Sequence, residues 1–85
     1  MTKRQVYTEL GNRLRLIRVA FSDESQKAWA TKNEFNPTQY NNWERGERRI
    51  TIEAATKLAD RYGLTLDYVF RGRVDGLPKR LLDAL

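Results

Sequence analysis

The chain contains no cysteine and no histidine, and it has two prolines and five glycines in 85 residues. Without cysteine, neither a disulfide nor a thiolate metal site can form. The lack of histidine and of a glycine-rich phosphate loop disfavours an enzyme. No apolar run approaches the roughly 18 residues of a membrane span, and the N-terminus MTKRQVYTEL lacks a signal-peptide core. We therefore expect a cytoplasmic protein with no catalytic residues, no cofactor and no bound metal.

What the sequence does contain is an excess of positive charge. Sixteen lysines and arginines face eleven acidic residues, which gives a net charge of +5 and a pI near 9.9. This balance favours a polyanionic partner. A chain of this length makes one small domain with a modest core. Because helical spacing recurs and strand-like alternation is absent, we predict an all-α fold.

Apolar spacing predicts a first helix near the N-terminus. A capping-box pattern at residues 2–5 precedes apolar residues that share one helical face, and the helix is expected to end near Phe21. The predicted inner positions are Val6, Leu10, Leu14 and Ile17.

Residues 26–46 predict two short helices joined by a sharp turn. Ser25 is the expected N-cap of the first of these, with Gln26 as its first residue. The second is expected over residues 37–45. Asn36 serves as its N-cap, Pro37 lies where a missing N–H costs nothing, and Gln39 can complete a capping box. Gly46 is expected to end it in a left-handed conformation.

The two faces of this third helix differ in chemistry. Tyr40 and Trp43 lie three residues apart and are expected to pack inward, with Trp29 and Phe35 beside them in the core. A solvated polar face is the plain interpretation of the opposite side, yet its amides, hydroxyl and guanidinium also suit the edges of base pairs. The outward residues are Thr38, Asn41, Asn42 and Arg45.

Two further helices are predicted, followed by a C-terminal segment. Ile50 is expected to anchor the preceding link. Thr51 caps the fourth helix, whose end is at Gly63, and Thr65 caps the fifth, whose end is near Gly72. The predicted inner residues of the fourth helix are Ile52, Ala55, Leu58, Ala59 and Tyr62, and the fifth helix carries Leu66, Val69 and Phe70. Residues 73–76 indicate a hinge, and Pro78 can begin a final turn or two of helix.

Several sequence features together are typical of one family. They are Ser25-Gln26, Ala30, the aromatic pair Tyr40 and Trp43, the stretch WERG at residues 43–46, and the segment LTLDY at residues 64–68. In these features the chain resembles the Cro/C1-type helix-turn-helix regulators, also called the xenobiotic-response-element family, over residues 10–72. The resemblance implies a five-helix, lambda-repressor-like domain (residues 1–72) with a C-terminal extension (residues 73–85). It also implies a third helix that enters the major groove of double-stranded DNA, generally in a homodimer.

The turn between the second and third helices departs from the family pattern. Members usually have Leu and then Gly where this chain has Asn33 and Glu34. A left-handed backbone at Glu34 costs on the order of 1 kcal/mol relative to glycine. Since asparagine tolerates that conformation better, we expect the turn to be re-registered by one residue, onto Asn33.

The resemblance and the side-chain chemistry together nominate DNA contacts. The expected base-reading residues are Thr38, Gln39, Asn41 and Asn42. The expected phosphate-binding residues are Gln26, Arg13, Arg45, Arg48 and Arg49. For Arg45, a salt bridge to Glu44 or Glu47 is the competing interpretation. Glu44 itself is interpreted as structural, holding the basic loop or the backbone of the third helix.

Apolar residues in the C-terminal part of the chain are candidates for a dimer contact. The alternative interpretation is that the tail folds back over the core. The candidates are Leu66, Tyr68, Phe70, Leu81 and Leu85. The overall prediction is a bacterial or phage-encoded, nucleoid-associated DNA-binding repressor. Three alternatives stay open at this point: an antitoxin with a toxin or other regulatory protein as partner, a protein-interaction adaptor, and a single-strand or RNA binder.

Overall fold

The computed structural model describes residues 6–85, and this part of the chain is built from helices joined by short links. In chain order these helices are α1 (Thr8–Phe21), α2 (Gln26–Lys32), α3 (Pro37–Glu44), α4 (Ile52–Tyr62), α5 (Leu66–Arg71) and α6 (Lys79–Leu82). The prediction of an all-α domain with a C-terminal helical extension is confirmed. The capping box predicted at residues 2–5 lies outside the described residues.

Helix α1 packs against α3, α5 and α6. Leu10, Leu14 and Ile17 are buried, as the spacing predicts. The prediction that Val6 belongs to the same face is wrong, because the helix begins at Thr8 and Val6 is 63% exposed. A residue that precedes the helix no longer follows the 3.6-residue period, so its spacing from Leu10 does not place it on the buried face.

An aromatic cluster occupies the core beside α3. Trp29, Phe35, Tyr40 and Trp43 are all buried, as predicted. The ring of Phe35 stacks on Tyr40 with centroids 5.8 Å apart and meets Trp43 edge-on at 5.5 Å. These four rings are therefore unavailable to stack on unpaired bases, which removes the main structural support for a single-strand binder.

Helices α4 and α5 begin and end where their capping residues predict. The Thr51 hydroxyl accepts the Ala54 amide at 3.1 Å, and Gly63 and Gly72 end the two helices with positive φ. The inward placement of Ile52 is wrong, because this side chain is 57% exposed. Helical side chains lean toward the N-terminus, so a residue in the first position extends beyond the packed part of the helix. Leu66, the first residue of α5, is 39% exposed for the same reason.

The C-terminal segment folds back against α1. Leu77 and Leu81 are buried in the core. Arg80 Nε donates to the carbonyl of Ala20 at 2.6 Å, and its guanidinium lies 5.5 Å from the ring centre of Phe21. Pro78 is the N-cap of α6 rather than a residue of its first turn. Leu77 and Leu81 are therefore part of the same core as α1.

Candidate nucleic-acid interface

The start of α3 is fixed by local hydrogen bonding. Asn36 has the extended backbone of an N-cap, and its Oδ1 accepts the Gln39 amide at 3.0 Å. Pro37 occupies the first helical turn. The side chain of Gln39 is exposed. This cap fixes where the helix begins and so determines which side chains α3 turns outward.

The two faces of α3 divide as predicted. Tyr40 and Trp43 face the core, while Thr38 is exposed on the opposite side. Asn41 and Asn42 are half-buried. The helix is therefore held by its aromatic residues and shows polar side chains to solvent.

An open groove of about 590 Å³ lies between α3 and the link that follows it. We call it the polar groove, and its lining residues are Asn36, Thr38, Gln39, Asn42, Trp43, Arg48, Arg49 and Thr51. The groove brings three predicted base-reading residues together with two predicted phosphate-binding arginines. No residue from 73–85 lines it, so the C-terminal segment does not cover these side chains.

The remaining predicted DNA contacts lie outside the polar groove, and three of them have partners within the protein. Arg45 forms a salt bridge with Glu47 at 2.8 Å, which was the competing interpretation for this residue. Arg13 Nε donates to the Val69 carbonyl at 3.0 Å, near the C-terminal end of α5. Cations stabilise helix C-termini, so Arg13 has a structural role that sequence reasoning did not identify. The third is Gln26, whose side chain bonds to Glu44.

Glu44 connects α3 to α1 and α2. Its two oxygens accept hydrogen bonds from Arg18 Nε at 2.8 Å and Nη2 at 3.1 Å, and Oε1 also accepts from Gln26 Nε2 at 3.1 Å. The hydrogen bond to this carboxylate raises the pKa of the Arg18 guanidinium. The prediction that Glu44 is structural agrees with this geometry, but its partners lie on α1 and α2 instead of in the basic loop or the α3 backbone.

Two glycines allow the backbone of α1 to lie close to the backbone of the WERG stretch. Gly46 has φ of +76°, and an added Cβ would lie 2.9 Å from backbone atoms of Thr8. A Cβ on Gly11 would lie 2.8 Å from the Trp43 carbonyl oxygen and would overlap the carbonyl of Glu44. Gly46 was predicted as a helix end; Gly11 was missed, although an isolated glycine inside a helical pattern is a recognisable sign of tight packing.

The turn between α2 and α3 keeps its left-handed residue where the family usually has glycine. Glu34 has φ of +65°, while Asn33 has φ of −92°. The prediction that the left-handed residue moves to Asn33 is therefore wrong. Asn33 is instead fully buried and bonded through its side chain to Trp29, Arg61 and Tyr62. Because Asn33 is held by these hydrogen bonds, the left-handed backbone conformation, and the strain that it causes, remain at Glu34.

The predicted dimer residues divide into exposed and buried sets. Leu66 and Leu85 are exposed, and Phe70 is partly buried under the guanidinium of Arg49, 4.4 Å from the ring centre. Tyr68 and Leu81 are in the core, with 2% and 0% exposure. These two side chains are thus unavailable to a partner, because their helical positions face the core instead of solvent.

Within residues 6–85 the acidic side chains do not gather into a group that could hold a metal ion, and no helix is long and apolar enough to cross a membrane. The helix-turn-helix family model matches residues 26–69, which is more than half of the chain. The chain therefore belongs to the helix-turn-helix family of the Cro/C1 type and is a DNA-binding transcription regulator of that type. No curated protein and no solved structure matches it.

Proposed function

We propose that this regulator is a sequence-specific repressor that binds double-stranded DNA as a homodimer and reads the major groove with α3. The observation that carries the proposal is the polar groove, where outward side chains of α3 lie beside Arg48 and Arg49. The net charge of +5 supports a polyanionic partner.

The shape and chemistry of α3 support base reading. An α-helix with its side chains is about 10–12 Å across and fits the major groove, which is about 12 Å wide. The amides of Gln39 and Asn42 can bond bidentately to adenine, and the methyl group of Thr38 can touch that of thymine. Asn41 lies outside the polar groove, and we place it at the edge of the same contact.

Phosphate binding falls first to the two arginines of the polar groove. Arg48 and Arg49 are exposed and follow closely on the end of α3. Gln26 uses one amide hydrogen for Glu44, and the other remains to donate to a phosphate oxygen. The side chain of Arg45 is 58% exposed, and it can rotate away from Glu47 to contact the DNA backbone. These contacts would hold the register while α3 reads sequence.

A homodimer would place two α3 helices in successive major grooves, about 34 Å apart. Leu66, Phe70 and Leu85 are the apolar side chains that we assign to the dimer contact, since they keep exposed surface. A bound dimer excludes other proteins from the DNA that it covers, which is the simplest route to repression.

Selection of bound sequences from a random duplex pool, at fixed salt, tests the proposal. We expect the selected sites to contain a repeated half-site one helical turn apart. Asn42→Ala should weaken binding to the selected site by about 1–3 kcal/mol and relax preference at one position, whereas Arg48→Ala should weaken binding to all duplexes and flatten the salt dependence.

The matched control is Asn12→Ala, which changes an exposed asparagine of α1 outside the polar groove. This variant should bind like the wild type. An Asn42→Ala variant that keeps the wild-type ratio of selected to random affinity would contradict the assignment of α3 as the reading helix. Sedimentation of the protein with a selected duplex then reports whether one or two copies bind.

A further inference from the structure

The turn between α2 and α3 lies against one face of α4. Lys57 and Arg61 are one helical turn apart on that face. Arg61 Nη2 lies 2.6 Å from Glu34 Oε1, and Lys57 Nζ lies 3.8 Å from the same oxygen. Two cations of α4 thus hold the one residue of the turn that has a left-handed backbone.

Side chains of α4 also bind further acceptors at the turn. Arg61 Nη1 donates to Asn33 Oδ1 at 3.1 Å and to the Lys32 carbonyl at 3.4 Å. Lys57 Nζ donates to the Asn33 carbonyl at 3.4 Å, and the Tyr62 hydroxyl donates to Asn33 Oδ1 at 2.9 Å. These contacts place positive charge at the C-terminal end of α2, where the helix dipole favours it.

These contacts oppose the strain of a left-handed backbone at Glu34. A residue with a side chain resists the left-handed region, whereas glycine enters it freely. In this chain the strain at Glu34 is opposed by the pairing of its carboxylate with Arg61 and by the burial of Asn33. The turn is therefore held by side chains of α4 and not by its own residues alone.

We infer that Arg61 is a positioning residue that determines DNA specificity, an inference that rests on the function proposed above. Gln26 begins α2 and Asn42 lies on α3, so the turn, together with the hydrogen bond from Gln26 to Glu44, sets the spacing between a phosphate contact and a base contact. Bidentate bonds to base edges need precise placement, whereas attraction to phosphates tolerates displacement. Loosening the turn therefore lowers discrimination between sequences more than it lowers general affinity.

A rescue experiment tests this role. The ratio of affinity for a selected duplex to affinity for random duplex is measured for the wild type, Arg61→Ala, Glu34→Gly and the double variant. We expect Arg61→Ala to lower the ratio on the order of five-fold. The double variant should recover the wild-type ratio to within about two-fold, because glycine adopts the left-handed turn without Arg61. Arg15→Ala, at an exposed arginine of α1, is the charge-matched control and should leave the ratio unchanged.

A role for Arg61 in stability alone predicts a different pattern: a lower unfolding midpoint with an unchanged ratio, or a lowered ratio that glycine does not restore. Either result would overturn the inference. Backbone amide NMR shifts of residues 38 and 39 in the free protein supply a second readout, expected to move in Arg61→Ala and to return in the double variant. If the wild type does not discriminate between duplexes, the proposed function fails, and unmoved amide shifts would then also reject the positioning of the turn by Arg61.

Discussion

Replacement of Glu44 by alanine should strongly destabilise the domain. The Glu44 side chain is 4% exposed and its partner Arg18 is 17% exposed, so both charges are largely removed from water. Removal of one partner of a buried pair costs about 3–5 kcal/mol, because the other charge stays desolvated. The residual exposure of Arg18 places the expected loss near the lower end, at about 3 kcal/mol. For a domain of this size, that corresponds to a fall in Tm of roughly 12–24 °C.

Urea denaturation followed by circular dichroism measures this loss. We expect a lower midpoint with an unchanged m-value, since the surface exposed on unfolding stays the same. Asp60→Ala is the matched control, because it removes an exposed carboxylate from the surface of α4 and should change stability by less than about 0.5 kcal/mol.

The double variant Arg18→Met with Glu44→Leu tests whether the loss comes from leaving one charge unpaired. Because it leaves no unpaired charge, it should recover part of the stability that Glu44→Ala loses. A loss below about 1 kcal/mol for Glu44→Ala would refute the idea that Glu44 and Arg18 act as a coupled pair. The same conclusion would follow if the losses of Arg18→Met and Glu44→Leu, each measured alone, simply add in the double variant.

Three further predictions concern stability. Gly11→Ala should lower the free energy of unfolding by more than about 2 kcal/mol, because its Cβ meets the backbone of α3. Gly63→Ala places a Cβ in open space and should lose only about 1 kcal/mol through its positive φ. Thermal unfolding of the two variants compares these losses. Leu81→Ala should cost about 2–5 kcal/mol in urea denaturation, and a near-neutral result would show that the C-terminal segment does not belong to the core. Burial, with the nearby Glu44 carboxylate, raises the pKa of the Tyr40 hydroxyl above its ordinary value of 10.0. The unfolded chain therefore releases this proton first, so the stability is complete below about pH 10 and falls above it by about 1.4 kcal/mol per pH unit from this group. Tyr40→Phe should flatten that alkaline decline, and an unchanged slope would show that the Tyr40 hydroxyl is not its source.

The starts of α2, α3, α4 and α5 were predictable because their signal is local, whereas α1 begins at Thr8, after Val6, which its apolar spacing had included. Ser25, Asn36, Thr51 and Thr65 each cap the helix that their position in the sequence indicates. A cap depends on a side chain and an amide only three residues apart, so the sequence contains the whole interaction. Val6 and Ile52 were misplaced because spacing alone does not show where packing against other helices begins and ends.

Long-range partners were not predictable in the same way. Gln26 and Arg13 have residue types that suit phosphate contact, yet their partners in the fold are Glu44 and the Val69 carbonyl, 18 and 56 residues away in sequence. The turn shows the same limit. Local preference favours Asn33 for the left-handed position, but contacts from α4 bury that residue and leave the strain to Glu34.

Side-chain amide NMR signals during titration with a selected duplex test the central claim most directly. If α3 reads bases from the polar groove, the signals of Gln39 and Asn42 should shift strongly and saturate with the duplex, while the exposed amide of Asn12 on α1 stays in place. Unmoved side-chain signals from Gln39 and Asn42 at saturation, with backbone amide shifts concentrated in residues 73–85, would contradict base reading by α3.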